Sequence, residues 1–279
     1  MHADSFFTIG SSHTVCQDYA RTFLEGEACV AVLSDGCSSA VDSDFGSRLL
    51  VTETISHIKT VGFDNSPKSF SDWETASKII GSAARKNAIS LGLKAQAIDA
   101  TLLVAVADQD RTVGVIFGDG AIVYRLNNGE LVIEEVRYSK SYPGYISYVV
   151  DDRKREAYAA VGEECHLHRF IVSGDDIIAE PPTPIDCLKP HWVNLPTSSI
   201  SCIALISDGI SSFYRTIIEE TSRSNIQVPM LDVLPELMAF ARMKGQFVQR
   251  RVRKGLARFA MANVHHADDV SVAAIAIQD

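Results

Sequence analysis

Five aspartates stand where apolar, strand-like runs begin or end: Asp18, Asp35, Asp119, Asp208, and either Asp268 or Asp269. Two of them close the same phrase, since residues 29–36 read CVAVLSDG and residues 202–209 read CIALISDG. A looser copy, VGVIFGDG, fills 113–120. Carboxylates brought together repel one another, and a hard divalent cation relieves that repulsion. A set of aspartates with few Glu and no ordered His cluster suits Mg²⁺ or Mn²⁺, and the carbonyl beside Gly36 is open enough to add another oxygen. Zinc fits poorly, because Cys165-His166-Leu167-His168 and His265-His266 lack tetrahedral-site spacing. The competing reading is turn chemistry, Asp-Gly being a common tight hairpin turn. It suits Asp119-Gly120, where another strand-like run, 121–126, follows at once. It suits Asp35-Gly36 and Asp208-Gly209 less well, since Ser-rich segments and helix-like patterns follow.

The remaining composition narrows the class. With 279 residues, 46% apolar and 22% charged, the chain can bury a substantial core. Its 35 acidic against 26 basic residues give a formal charge of −9, which argues against nucleic-acid binding and favours cation binding. The six cysteines form no CxxC pair, so Cys29 and Cys202 read as small hydrophobes in buried strands. No basic head with an apolar stretch opens the chain, and no apolar run reaches transmembrane length. A reducing cytoplasm, with no membrane contact, is the expected setting.

The elements that must carry these aspartates follow from periodicity. Strands are expected at 5–10 and 28–34, then helices at 47–62 and 71–93, separated by a loop over 62–70. Four runs, 99–108, 112–119, 121–126 and 131–138, read as an antiparallel meander turned at Gln109-Asp110, Asp119-Gly120 and Asn127-Asn128-Gly129. Residues 139–165 are irregular, and their charged run 151–156 reads as a solvated hairpin tip or a contact for a phosphoprotein. A strand at 165–173 and a Pro-rich surface loop at 180–190 come next. Helices are expected over 211–220, over 229–244 with Pro235 at a start or kink, and over 247–266; a strand over 268–279 closes the chain. The basic cluster Arg250, Arg251, Arg253 and Lys254 reads as an exposed helix face. Antiparallel strands with helices in consecutive pairs imply an α+β fold: a four-layer α-β-β-α sandwich of two antiparallel sheets flanked by helix pairs, in one domain.

The order QDY (17–19), SDG (34–36), DATLLVAV (99–106), FGDGAIVY (117–124), ISDGISSF (206–213) and DDVSVAAIAI (268–277) resembles the metal-dependent serine/threonine protein phosphatases of type 2C, in their bacterial form. The resemblance implies a single catalytic domain over 1–279, with a flap-like segment around 139–165. It implies that Asp35 bridges two Mg²⁺ or Mn²⁺ ions and that the Gly36 carbonyl, Asp208 and Asp268 complete the first ion's ligands. Asp18 would serve the second ion, largely through its water shell, and Asp119 a third, weaker one. Asp269 then takes the place of the family's Asn, and Thr101 matches a small hydroxyl position, although strand propensity alone accounts for it. The implied chemistry is attack by a water activated between two metals on phosphoserine or phosphothreonine, so Cys37 is not a covalent catalyst.

Two departures stand out. The family commonly has an Arg at position 13 to grip the substrate phosphate, and here it is His13, without the permanent charge or bidentate fork. Cys37 stands where eukaryotic members often have His. The expected partners are a phosphorylated protein and a separately encoded Ser/Thr kinase, giving a place in signalling. His13 also sustains an alternative: a phosphatase-fold protein that binds a phosphorylated partner with weak or no turnover. A small-molecule phosphomonoesterase is a third reading.

Overall fold

The computed structural model describes residues 1–62, 67, 69–218 and 223–277. The chain opens with strands β1 (His2–Thr8), β2 (Asp18–Glu25) and β3 (Ala28–Asp35), followed by helices α1 (Ser43–Val61) and α2 (Phe70–Ser90). Strands β4 (Leu102–Ala107), β5 (Arg111–Phe117), β6 (Gly120–Leu126) and β7 (Leu131–Tyr138) precede two short helices, α3 (Ile146–Val149) and α4 (Asp152–Val161). Next come β8 (Cys165–Ser173), β9 (Asp176–Ala179), β10 (Thr183–Ile185), β11 (His191–Pro196), β12 (Ile200–Ile206), β13 (Phe213–Ile218) and β14 (Arg223–Gln227). Helices α5 (Met230–Leu237) and α6 (Phe247–Met261) lead to β15 (Val264–His266) and β16 (Val270–Ala276).

Because successive side chains on a strand face opposite ways, a strand apolar at every position can serve two layers at once. In β3, Val30 and Val32 pack with Leu50, Ile58, Trp73 and Ile80 of α1 and α2. Their neighbours Cys29, Ala31 and Leu33 meet Leu205, Ala273 and Ile275 between the sheets. On β12 and β16, Ala204, Ile206, Val272 and Ala274 turn outward onto Val233, Leu237, Val248 and Val252 of α5 and α6. Each fully buried Leu or Ile contributes about 1.5–3 kcal/mol, and three such layers hold the sheets in fixed relation. One of the two packed sheets runs β1-β16-β12-β6-β7-β8-β10, with β9 also on β8; the second runs β11-β5-β4-β3-β2, and a small third sheet runs β14-β13-β15. The expected four-layer sandwich is therefore present. Among the described residues no helix is long and apolar enough to cross a membrane.

Several expectations need correction. The four central strands are not one meander: β4 and β5 pair in the five-stranded sheet, while β6 and β7 pair in the eight-stranded one. Asp119-Gly120 is thus the crossing between sheets rather than a hairpin turn, and Gly118 (φ 90°) and Gly120 (φ 119°) supply its left-handed backbone. With both faces of these strands apolar, their pattern could not say which sheet each joined. The helix expected over 211–220 is a short 3₁₀ turn and then β13, with Glu219 and Glu220 outside the described residues. There Phe213 is buried and Arg215 exposed, and Tyr, Thr and Ile favour a strand paired with β14 and β15.

Strand β2 went unrecognised because its mixed sequence, DYARTFLE, shows no clean alternation. The charged run 151–156 begins helix α4, whose first turn is capped by Asp151 accepting from the backbone N–H groups of Arg153 and Lys154. The Pro-rich loop includes the short strand β10 on β8. Helix α5 ends at Leu237 with Pro235 inside it, short of the expected 244, and α6 gives way to β15 before 266. The capping box of α2 uses Ser69 and Asp72 rather than a start at Ser71. The loop expected over 62–70 lies mostly outside the described residues. Arg250, Arg253 and Lys254 are exposed as expected, whereas Arg251 is partly buried against Glu236.

A buried carboxylate, Glu134, bridges the two sheets. Glu134 accepts from the Tyr124 hydroxyl at 3.0 Å and lies 2.7 Å from His191 Nε2, with Arg169 Nε at 3.5 Å. Burial alone would raise its pKa, but His191, Tyr124 and Arg169 outweigh burial and hold it below its ordinary 4.5. A depressed carboxylate stabilises fully above its unfolded pKa and loses that contribution as pH falls through the folded one. Glu134→Gln is therefore expected to cost roughly 1–3 kcal/mol near neutrality, with the gap to the parent closing below about pH 4. Urea melts at several pH values measure both quantities.

Candidate active site

Antiparallel pairing places the end of one strand beside the start of the next, and this is what gathers the aspartates. Asp35 ends β3 and pairs with Asp18 at the start of β2. In the other sheet Ile206, ending β12, pairs with Ala121 at the start of β6 and with Val272 near the start of β16. Asp208, Asp119 and Asp268 therefore emerge at one edge of that sheet, over the edge that carries Asp18 and Asp35. Asp35, Gly36, Asp119, Asp208, Asp268 and His13 line one cleft of about 650 Å³. Asp18 is fully buried behind it.

The Asp-Gly repeat has a packing cause. A Cβ on Gly36 would stand 2.6 Å from the Ser43 carbonyl oxygen, and one on Gly209 would stand 1.7 Å from that of Asp269. Both glycines let the chain turn away from a carboxylate-bearing strand end against another segment's backbone. The position of Asp35 is fixed further by Thr101, whose hydroxyl accepts the Asp35 N–H at 3.0 Å while its own N–H donates to the Asp35 carbonyl at 2.8 Å. Thr101 thus has a positioning role that strand propensity does not explain. Ser207 links the sheets: its hydroxyl donates to Asp18 Oδ2 at 2.8 Å and accepts from the Ser271 N–H at 3.0 Å.

Asp269 is the residue that motif reading undervalued. It is buried, and its two oxygens accept the N–H groups of Gly10 at 2.7 Å and Gln17 at 2.6 Å, holding the segment that carries His13. His13 Nδ1 is 3.1 Å from Asp269 Oδ2, and Nε2 is 3.5 Å from Asp268 Oδ1. Burial alone would lower the His13 pKa, but Asp269 first, then Asp268 and Asp18, raise it above its ordinary value. The signal for Asp269 in the sequence was only its adjacency to Asp268.

Burial is the first cause that raises Asp18, Asp35, Asp119 and Asp268 above the usual carboxylate range. Neighbouring charge adds to it, from Asp18 and Asp208 on Asp35, and from Asp208 on Asp119 and Asp268. Asp18 Oδ1 is buried without a hydrogen-bond partner. Among the described residues no group of three or more His, Cys, Asp or Glu side chains is gathered closely enough to hold a metal ion. What the cleft offers is a set of converging carboxylates, beside His13 and Cys37, whose charge repulsion a hard cation would relieve.

Similarity to known proteins bears on the family and the fold. Residues 10–257 match the family described as Protein phosphatase 2C. No curated protein is close enough in sequence to match. Among solved structures, a bacterial serine phosphatase is similar at TM-score 0.57 and 16% identity, covering 100% of this chain and 99% of that one. The Staphylococcus aureus serine/threonine phosphatase Stp1 is similar at TM-score 0.55 and 15% identity, over 99% and 95%. A serine-threonine phosphatase 2C from Toxoplasma gondii is similar at TM-score 0.52 and 16% identity, over 98% and 93%.

Thr101→Val keeps the side chain's shape and removes the acceptor of the Asp35 N–H. It is expected to lower stability by roughly 1–3 kcal/mol. Chemical denaturation of parent and variant, with equal m-values as the control for folding, checks this.

Proposed function

The chain belongs to the protein phosphatase 2C family and is a serine/threonine protein phosphatase; from that premise we propose that it hydrolyses phosphoserine and phosphothreonine in proteins with Mg²⁺ or Mn²⁺ held by its aspartates. The observation that carries this reading is the meeting of carboxylates from both sheets at one cleft, with a buried carboxylate oxygen of Asp18 left without a partner. A carboxylate set of this kind fits those ions. Asp35, the Gly36 carbonyl, Asp208 and Asp268 would hold one ion, Asp35 and Asp18 a second, and Asp119 a third, weaker one. When bound, such ions supply water activation and neutralise charge during in-line displacement at phosphorus.

The chain's own residues do the positioning. Thr101 and Ser207 fix Asp35 and Asp18 from behind, and Asp269 fixes the loop bearing His13. His13 is drawn to Asp268 and Asp269, so its role is to orient that carboxylate pair. Ser141, Pro143 and Tyr145 line the cleft, which supports treating 139–165 as a flap beside the site within one catalytic domain. The partners would be a phosphorylated protein and the kinase that opposes it. All six cysteines are free, which supports a reducing cytoplasm.

Purified protein with a phosphothreonine peptide and Mn²⁺ is expected to release phosphate, reversibly blocked by chelator. Asp35→Asn and Asp208→Asn should each reduce the rate roughly 100-fold or more. Tight binding of the peptide without turnover in the parent protein would overturn the enzymatic reading.

A further inference from the structure

A phosphoryl dianion entering a cleft framed by aspartates needs positive charge from the protein as well as from ions. Among the described residues lining the cleft, Arg137 is the one Arg or Lys. It stands near the end of β7, where Val136 pairs with Gly120, so it flanks the crossing that carries Asp119. Glu135 and Arg137 lie two apart on one strand and share a face. Glu135 is 7% exposed and its Oε2 lies 2.7 Å from Arg137 Nη2, while Arg137 itself is 47% exposed. A buried carboxylate thus stands at ion-pair distance from one corner of the guanidinium without forming a hydrogen bond, and the planar fork of five N–H donors has donors to offer an anion. Beyond it the wall turns apolar through Phe170, Pro229, Met230 and Leu231. The one cleft therefore holds the carboxylates, this guanidinium and an apolar wall suited to the rest of a substrate.

We propose that Arg137 contacts the phosphoryl group of the substrate, supplying the fixed cation that His13, held between Asp268 and Asp269, does not. This rests on the phosphatase reading above, and Glu135 is the positioning residue that presents the guanidinium.

The test uses p-nitrophenyl phosphate as a substrate without any peptide to recognise, and inorganic phosphate, which has nothing beyond the phosphoryl group, as a competing ligand. In the Mn²⁺-loaded protein, Arg137→Ala is expected to raise both the KM for p-nitrophenyl phosphate and the inhibition constant of phosphate about tenfold or more. Arg137→Lys keeps the charge without the fork and should recover part of that loss. Calorimetric titration with inorganic phosphate should show the same order of affinities without turnover. Thermal melts establish that each variant folds, and Arg137→Gln replaces the alanine variant if that one does not. Unchanged phosphate affinity in Arg137→Ala overturns the proposal. So does a KM that rises for phosphopeptides but not for p-nitrophenyl phosphate, since the side chain then reads the peptide instead. If the parent protein hydrolyses neither substrate, the phosphatase reading fails on its own; the titration still decides, with lost affinity supporting the role of Arg137 and unchanged affinity ending it.

Discussion

Concentrated negative charge is the constraint around which this molecule is organised. Carboxylates from two separate sheets converge on one cleft, and burial and mutual repulsion raise several of them above their ordinary pKa values. Left alone, such a cluster would push the two sheet edges apart. The apolar layers resist it: the seam between the sheets, through Leu33, Leu205, Ala273 and Ile275, ties together the strands whose ends carry the charge. Stability is spent at the sheet edges and recovered between the sheets, so the site stays open and poorly neutralised while its frame stays closed.

The scaffold's choice of side chains follows from that division. Ala31, Ala105 and Ala273 fill the seam together with Leu103, Ile122 and Ile203. Trp73 and Ile80 on one side and Leu237 and Val252 on the other fill the outer layers under the helices. Small polar groups appear where the sheets meet at the site: Thr101 under Asp35, and Ser207 spanning to Asp18. They are hydrogen-bond bridges at the one edge where apolar packing must give way.

Much of this was legible in the residues. The repeated apolar phrase ending in Ser-Asp-Gly located two strand ends, and the order of helices and strands implied four layers. What could not be read was membership. An apolar strand buried on both faces looks the same in either sheet, so the crossing at Asp119 passed for a hairpin. β13 was missed because a six-residue run of aromatic and β-branched residues has too short a period to separate strand from helix without its partners β14 and β15. At the site the metal-ligand candidates were visible by type, whereas the hydrogen bonds that give Thr101, Ser207 and Asp269 their positions were not, although all three lie inside the motifs. Arg137 carried no signal, because a lone Arg in a strand is uninformative until the strand's end is known to face the cleft.

The place of β16 has a consequence for how the molecule comes into being. This strand lies between β1 and β12, so segments far apart in the sequence are direct neighbours, His2 beside Ala276 and Thr8 beside Val270. Contacts of such long sequence separation form late and slowly. A nascent chain that has not yet emerged past Asp268 and Asp269 lacks the strand that joins β1 to the rest of the larger sheet, the Asp268 carboxylate of the cleft and the buried Asp269 that holds the segment bearing His13. The architecture therefore couples maturation to competence: the cleft is completed by the same strand that closes the sheet, and a half-made molecule has no working half-site.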